Sequence, residues 1–216
     1  MSGCPTIPIL FEDDHLLVVA KPPGLLVVPA PGRSGETIAD RLRKQIGQRV
    51  YPVHRLDEGV TGVLVVALTQ AAKSALEELF REHAIQRVYL ALLSCAPTPA
   101  AGRIESQLRE SKSGVVRSVS KGPGEQAVTQ FTTLRRVSRY TLVECQLETG
   151  RRNQIRVHMS DLGCPIVGDR KYGFRVRGGR SFSRPLLHAE SVTFDHPITG
   201  ELVSVRVDAP EEELRR

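Results

Sequence analysis

The residues of this chain best placed to do chemistry lie in His54-Arg55-Leu56-Asp57-Glu58-Gly59-Val60-Thr61-Gly62. A carboxylate flanked by histidine and arginine, on a glycine-containing loop feeding an apolar strand, sits where active-site groups are often mounted. Such loops are open to substrate yet held by a rigid scaffold. A guanidinium near Asp57 would keep it ionised, as a nucleophile or general base requires. The same residues also describe a turn capped by Asp57 and closed by a surface ion pair with Arg55. Local chemistry alone favours this plainer arrangement. His54 and Asp57 further admit a metal-dependent hydrolase, but His54, His83 and His158 lack a compact ligand spacing such as His-x-x-x-His. No metal site is therefore expected. Cys4, Cys95, Cys145 and Cys164 contain no Cys-x-x-Cys pair, so free thiols in a reduced, cytoplasmic protein are expected.

The elements that must position these groups are short and mostly extended. Ile7–Leu10 and Leu16–Ala20 read as a hairpin around the acidic turn Glu12-Asp13-Asp14, followed by a turn at Pro22-Pro23-Gly24 and a third strand, Leu25–Val28. Ile38, Leu42 and Ile46 repeat at helical spacing, with Gly47 as a stop. Gly62–Leu68 predicts a buried strand, and Thr69 an N-cap for a helix carrying Ala72, Leu76, Leu79 and Phe80 on one face. Strand character returns at Val88–Leu93, Ala127–Leu134 and Tyr140–Leu147. Residues 94–127, rich in Ser, Pro, Gly and basic side chains, read as exposed hairpins and loops with only short strand-like pieces. A helix is expected from about Arg152 to Leu162, with Gly163 at its end, and a final strand at Val203, Val205 and Val207 after a turn at Thr199-Gly200. Strands outnumber helices and many are neighbours in sequence. That favours an α+β fold: a largely antiparallel mixed β-sheet core with flanking helices and loops.

A chain of 216 residues with net charge +6 suits a polyanionic partner, though ordinary basic proteins share that balance. The longest apolar runs, such as Val63–Leu68, are too short to cross a bilayer, and the first residues lack the basic lead and apolar run of a secretory signal. No membrane partner is expected.

The Asp57 segment resembles the central His-Arg-Leu-Asp motif of RluA-type RNA pseudouridine synthases, with Val60-Thr61-Gly62 where that family usually has Thr-Ser-Gly. The resemblance extends along the chain in order. Ile9 to Gly24, ending in Lys21-Pro22-Pro23-Gly24, is similar to the family's N-terminal motif, and Arg87-Val88-Tyr89 to its Lys/Arg-x-Tyr motif. Thr149 to Met159 resembles the third motif, Pro165-Ile166-Val167-Gly168-Asp169 continues it, and Leu187-His188-Ala189 and His196 to Glu201 match the C-terminal end. One departure stands out: the third motif commonly reads Gly-Arg-Thr-His-Gln, and here it is Gly150-Arg151-Arg152-Asn153-Gln154. Asn153 keeps hydrogen-bonding capacity but cannot take a charge.

The resemblance implies the pseudouridine synthase catalytic fold and an isomerase that turns uridine into pseudouridine within structured RNA, a transfer RNA or ribosomal RNA stem-loop. It implies no cofactor, and the sequence carries no dinucleotide fingerprint or P-loop. It carries Asp57 over to the catalytic carboxylate, Arg156 to the arginine paired with that carboxylate, Tyr89 to the active-site tyrosine and Ile155 to an apolar floor for the base. Arg55 matches the arginine that contacts RNA near the flipped nucleotide. The remaining positive charge, including Arg175, Arg177, Arg180 and Arg184, would engage phosphates. A single catalytic domain over residues 1–216 is expected, without a separate S4-type RNA-binding domain, acting as a monomer. The alternative is a non-catalytic RNA-binding protein that retains the fold.

Overall fold

The computed structural model describes residues 6–30, 32, 35–176 and 181–210. In chain order the elements are β1 (Ile9–Glu12), β2 (Leu16–Lys21), α1 (Ile38–Ile46), β3 (Tyr51–Pro52), β4 (Thr61–Ala67), α2 (Gln70–Arg81) and β5 (Gln86–Leu93). They continue with β6 (Ala101–Glu110), β7 (Val116–Val119), β8 (Glu125–Val137), β9 (Tyr140–Leu147), α3 (Gln154–Asp161), a 3-10 turn (Arg170–Tyr172), β10 (Leu187–Asp195) and β11 (Leu202–Arg206). The largely antiparallel sheet and flanking helices are those the sequence predicts. The described residues form two compact units, one of residues up to 85 with 189–208, the other of 86–188 with 209–210.

In the first unit β4 lies between β2 and β10, with β1 on β2 and β11 on β10. All seven residues of β4 are buried, which is why its sequence shows no polar alternation. Ala72 and Leu76 of α2 pack onto Val63, Val65, Leu16 and Val18, sealing one face. Thr37 closes the start of α1 in a capping box with Asp40, and the Gly47 N–H closes its end on the Arg43 carbonyl. Gly62 is the tightest point. Its φ is +112°, and a Cβ there would lie 2.0 Å from the Ala189 carbonyl oxygen. Only glycine lets β10 approach β4 this closely, immediately after the loop that carries Asp57.

In the second unit the strands pair in the order β5-β9-β8-β6-β7, all antiparallel. Leu90 and Leu92 of β5 join Leu142, Val167 and Phe174 in one cluster. Alternation along the strand therefore turns Tyr89 to the opposite face. A second cluster sets Val157 of α3 against Leu108, Val116, Ala127 and Tyr172.

Three expectations are corrected and one is refined. Leu25–Val28 is not a strand: after the Gly24 turn the Leu26 carbonyl is spent on the Ile38 N–H at the start of α1. The stretch 94–127 is not mainly loop, because β6 runs for ten residues between β7 and β8. Its polar composition hid it: ladders on both edges hold it while Leu108 alone is buried. The last helix, expected from about Arg152, begins slightly later at Gln154, after Asn153. Finally, Cys95 and Cys164 form a disulfide across a separation of 69 residues, while the free thiol among the described residues, Cys145, is buried. The Leu93–Ile166 bridge and the Ser94 N–H on the Pro165 carbonyl bring those cysteines side by side, which spacing in sequence does not reveal.

Replacing Gly62 with alanine should destabilise the protein by more than roughly 3 kcal/mol through clash and strain together. A thermal melt of Gly62→Ala within a degree or two of wild type would show that β10 can move aside.

Candidate active site

The Asp57 loop is built from below by Lys21. This lysine ends β2 and is buried at 2 % exposure, and its ammonium donates to the carbonyls of Val60 (2.8 Å), Pro22 (3.0 Å) and Glu58 (3.1 Å). The Gly24 N–H takes the Glu58 carbonyl as well, at 2.8 Å. An ammonium withdrawn from water is tolerated only when several acceptors surround it, so Lys21 and the loop fix one another. The Val60 N–H donates to the Asp57 carbonyl at 3.0 Å, closing a tight turn that leaves the Asp57 side chain half-buried. The neighbouring histidine is structural: His54 Nε2 accepts the Val65 N–H at 2.9 Å, and its ring stacks on Phe80 with centroids 4.5 Å apart. That use of Nε2 argues against a metal-ligating role. No group of three potential metal ligands occurs among the described residues.

Arg55 is exposed and makes no ion pair among the described residues. The surface pair with Asp57 that local chemistry favours is therefore not formed, and the guanidinium stands available to an outside anion.

The second unit holds Tyr89, Ile155 and Arg156. Tyr89 is buried at 8 % exposure on β5, opposite Cys145 of β9. Desolvation there pushes the Cys145 thiol up to about 12, so it is chemically inert at neutral pH. Ile155 and Arg156 fall in the first turn of α3, with Ile155 buried. Arg156 donates from Nε and Nη2 to the two carboxylate oxygens of Asp169, at 2.6 and 2.8 Å, and its guanidinium lies 4.9 Å from the centre of the Tyr172 ring. Arg175 is exposed and lines a cavity of about 370 Å³ with Arg139, Tyr140 and Phe174. Arg184 is half-buried, donates to the Pro185 carbonyl, and is made less basic by desolvation. Arg177 and Arg180 lie outside the described residues.

Sequence reading missed three contributions. Lys21 was legible only as the end of a motif; a lone lysine closing an apolar strand was the signal for a buried clamp. Asp169 and Tyr172 follow Gly168, where φ is +83° and a Cβ would meet the Arg184 carbonyl at 1.9 Å. The hairpin of β6 and β7 sets exposed Arg109 directly opposite exposed Arg117, with Lys112 in the turn between them. None of these three cations has an ion pair among the described residues, whereas Arg103, Arg151 and Arg152 are each matched to a glutamate. Like charges facing one another across a ladder are unfavourable until an anion arrives.

His158 is wholly buried, with Nδ1 against Thr129 Oγ1 at 2.9 Å and Nε2 against Ser106 Oγ at 3.0 Å. Gln154 extends this network to Thr149 and Thr129, tying α3 to β8. Burial lowers the His158 pKa to about 4, so the ring is neutral and structural.

Residues 15–161 match the family model for RNA pseudouridylate synthase. The chain belongs to the RNA pseudouridylate synthase family. Its members are isomerases that convert uridine in RNA to pseudouridine. The chain is 37 % identical over 223 residues to ribosomal large subunit pseudouridine synthase D of Zymomonas mobilis, covering 94 % of this chain and 69 % of that protein. It is 38 % identical over 212 residues to the uncharacterized RNA pseudouridine synthase YlyB of Bacillus subtilis, with the same two coverages, 94 % and 69 %. The chain thus spans about two thirds of the length of these relatives. Among solved structures, human RNA pseudouridylate synthase domain containing 4 superposes with a TM-score of 0.77 at 28 % identity, covering 96 % of this chain and 93 % of that one. Human RNA pseudouridylate synthase domain containing 1 gives 0.79 at 28 % identity, covering 97 % and 87 %.

The buried histidine gives this pseudouridine synthase an acid sensitivity. A histidine whose folded pKa is depressed binds its proton in the unfolded chain first, so its contribution is complete above the unfolded value of 6.5 and is lost as pH falls toward about 4. Unfolding free energy should drop across that window by on the order of 2 kcal/mol from this residue. His158→Gln should flatten the decline; an identical pH profile in wild type and variant would remove His158 as its source.

Proposed function

We propose that this chain isomerises uridine in structured RNA with Asp57 as its catalytic carboxylate. The observation that carries this reading is the Asp57 turn: a carboxylate half-buried on a loop clamped by a buried ammonium, beside an arginine that makes no ion pair among the described residues. In the isomerisation the C1′–N1 bond breaks, the uracil turns while bound, and C1′ joins C5. The C5 proton then leaves and N1 takes one up. Breaking the glycosidic bond builds positive character at the sugar, which a positioned carboxylate stabilises, attacks or relieves by removing a proton. Tyr89 is assigned to the base, by stacking or by helping to remove the C5 proton. Ile155 is assigned to the apolar floor, and Arg156 to the counter-charge of the reaction.

The target nucleotide must leave its stack, at roughly a few kcal/mol. Arg55, exposed on the Asp57 loop, is assigned to the space it vacates. Arg175, with Arg139 across a cavity, and the Arg109–Arg117 hairpin are assigned to phosphates; Arg177, Arg180 and Arg184 belong to the same basic segment. The names of the bacterial relatives make a hairpin of large-subunit ribosomal RNA the first substrate to test, and a transfer RNA stem-loop the second. The chain is taken to act as a single catalytic domain and a monomer, in the cytoplasm.

Asp57→Asn should abolish pseudouridine formation, measured by mapping modified sites in ribosomal RNA, while RNA affinity stays within about threefold of wild type. A variant that still turned over at the wild-type rate would remove Asp57 from the chemistry. Changing Arg109 and Arg117 together to glutamine should weaken RNA binding and lower the slope of log affinity against log salt by about 2. An unchanged slope would take that hairpin out of the interface.

A further inference from the structure

Asn153 is where this sequence departs from its family, and it stands in an unusual conformation. It precedes α3 with φ at +54°, a left-handed geometry that asparagine tolerates better than most side chains. Its side chain makes no hydrogen bond capping α3. Instead Oδ1 accepts the Tyr172 hydroxyl at 2.9 Å and the Lys171 ammonium at 3.4 Å. The Tyr172 hydroxyl in turn accepts the Val116 N–H at 3.2 Å. Both ends of this tyrosine are therefore fixed, its hydroxyl by Asn153 and β7, its backbone by the Asp169 carbonyl, which accepts the Tyr172 N–H at 3.2 Å.

The face of that ring supports Arg156, whose guanidinium also meets Asp169 in a two-point contact. Asp169 is 1 % exposed and Arg156 11 %. A fork of two parallel N–H···O bonds fixes the guanidinium plane and its rotation, and the aromatic face fixes its height. Gly168 holds Asp169 in place by admitting the Arg184 carbonyl against its own backbone. The site arginine is thus set by three side chains before any substrate arrives.

We propose that Asp169 and Tyr172 are positioning residues for Arg156, and that Asn153 is the anchor which keeps the Tyr172 ring in register. This deepens the reading of Arg156 as the active-site arginine and rests on it. Asn153 is then a functional replacement for the family's histidine: a neutral acceptor at the ring hydroxyl, one that acid does not convert to a donor. Neither Asp169 nor Tyr172 need touch the uridine. Their effect is on rate, because a displaced donor loses its value mainly in the transition state.

The test compares single-turnover rates, RNA affinity and melting temperature for Asp169→Asn, Tyr172→Phe, Tyr172→Leu, Asn153→Gly and Arg156→Ala, on one unmodified RNA hairpin whose uridine the wild-type protein converts. Asp169→Asn should slow the chemical step at least about tenfold with RNA affinity within about threefold. Tyr172→Phe keeps the ring and should fall less than Tyr172→Leu, while Asn153→Gly, which removes the acceptor at a compatible backbone, should match Tyr172→Phe. Should Asp169→Asn fail to fold, the ordering of the other three carries the test. Wild-type rates in Tyr172→Phe and Tyr172→Leu, alongside an inactive Arg156→Ala, would overturn the positioning role and leave Arg156 in the site. Equal losses of rate, affinity and melting temperature would overturn it too, as a merely structural effect. An active Arg156→Ala would overturn the reading of Arg156 itself, and the proposal with it.

Discussion

A buried ammonium on three carbonyl oxygens sets the first unit's chemistry. Lys21 gives up hydration to hold Pro22, Glu58 and Val60, and the last two belong to the loop that carries Asp57. Removing a charge from water without partners is prohibitive, so the loop cannot drift without stranding the lysine. Gly24 and Gly62 then close the loop on its two sides, one by donating to Glu58 and the other by letting β10 press against β4. The loop that carries Asp57 is accordingly fixed by main-chain contacts.

The second unit solves a similar problem with side chains. Its arginine, Arg156, is held by a carboxylate and an aromatic face, and these are held by a glycine-dependent turn and by Asn153. A neutral histidine network beside it ties α3 to the sheet through Thr129 and Ser106. Polar networks of this kind are secure only when every member is satisfied, which explains why they occupy the helix that carries two of the proposed site residues.

Much of the fold was legible in sequence where burial is one-sided or complete. The apolar run of β4, the Thr69 cap and the period of α1 each state their element directly. β6 was not legible, because only Leu108 along it is buried and it is held by its neighbours' ladders. Leu25–Val28 misled in the opposite sense, an apolar run whose hydrogen bonds go to a helix start. The proposed site was legible as a set of motif positions, with Asp57, Tyr89 and Arg156 named by resemblance. Its support was not. Lys21, Asp169 and Tyr172 act through contacts between residues distant in sequence, and no local pattern marks a lysine as buried or an aspartate as forked to an arginine. The disulfide between Cys95 and Cys164 was invisible for the same reason.

The central claim is that this protein moves uracil from an N1 to a C5 linkage in RNA, and the proton lost from C5 reports that step alone. Ribosomal RNA transcribed with uridine tritiated at C5 and incubated with the protein should release tritium to water, one equivalent for each pseudouridine mapped. Binding of the RNA with no release of tritium would contradict the account and leave a binding protein built on a synthase fold.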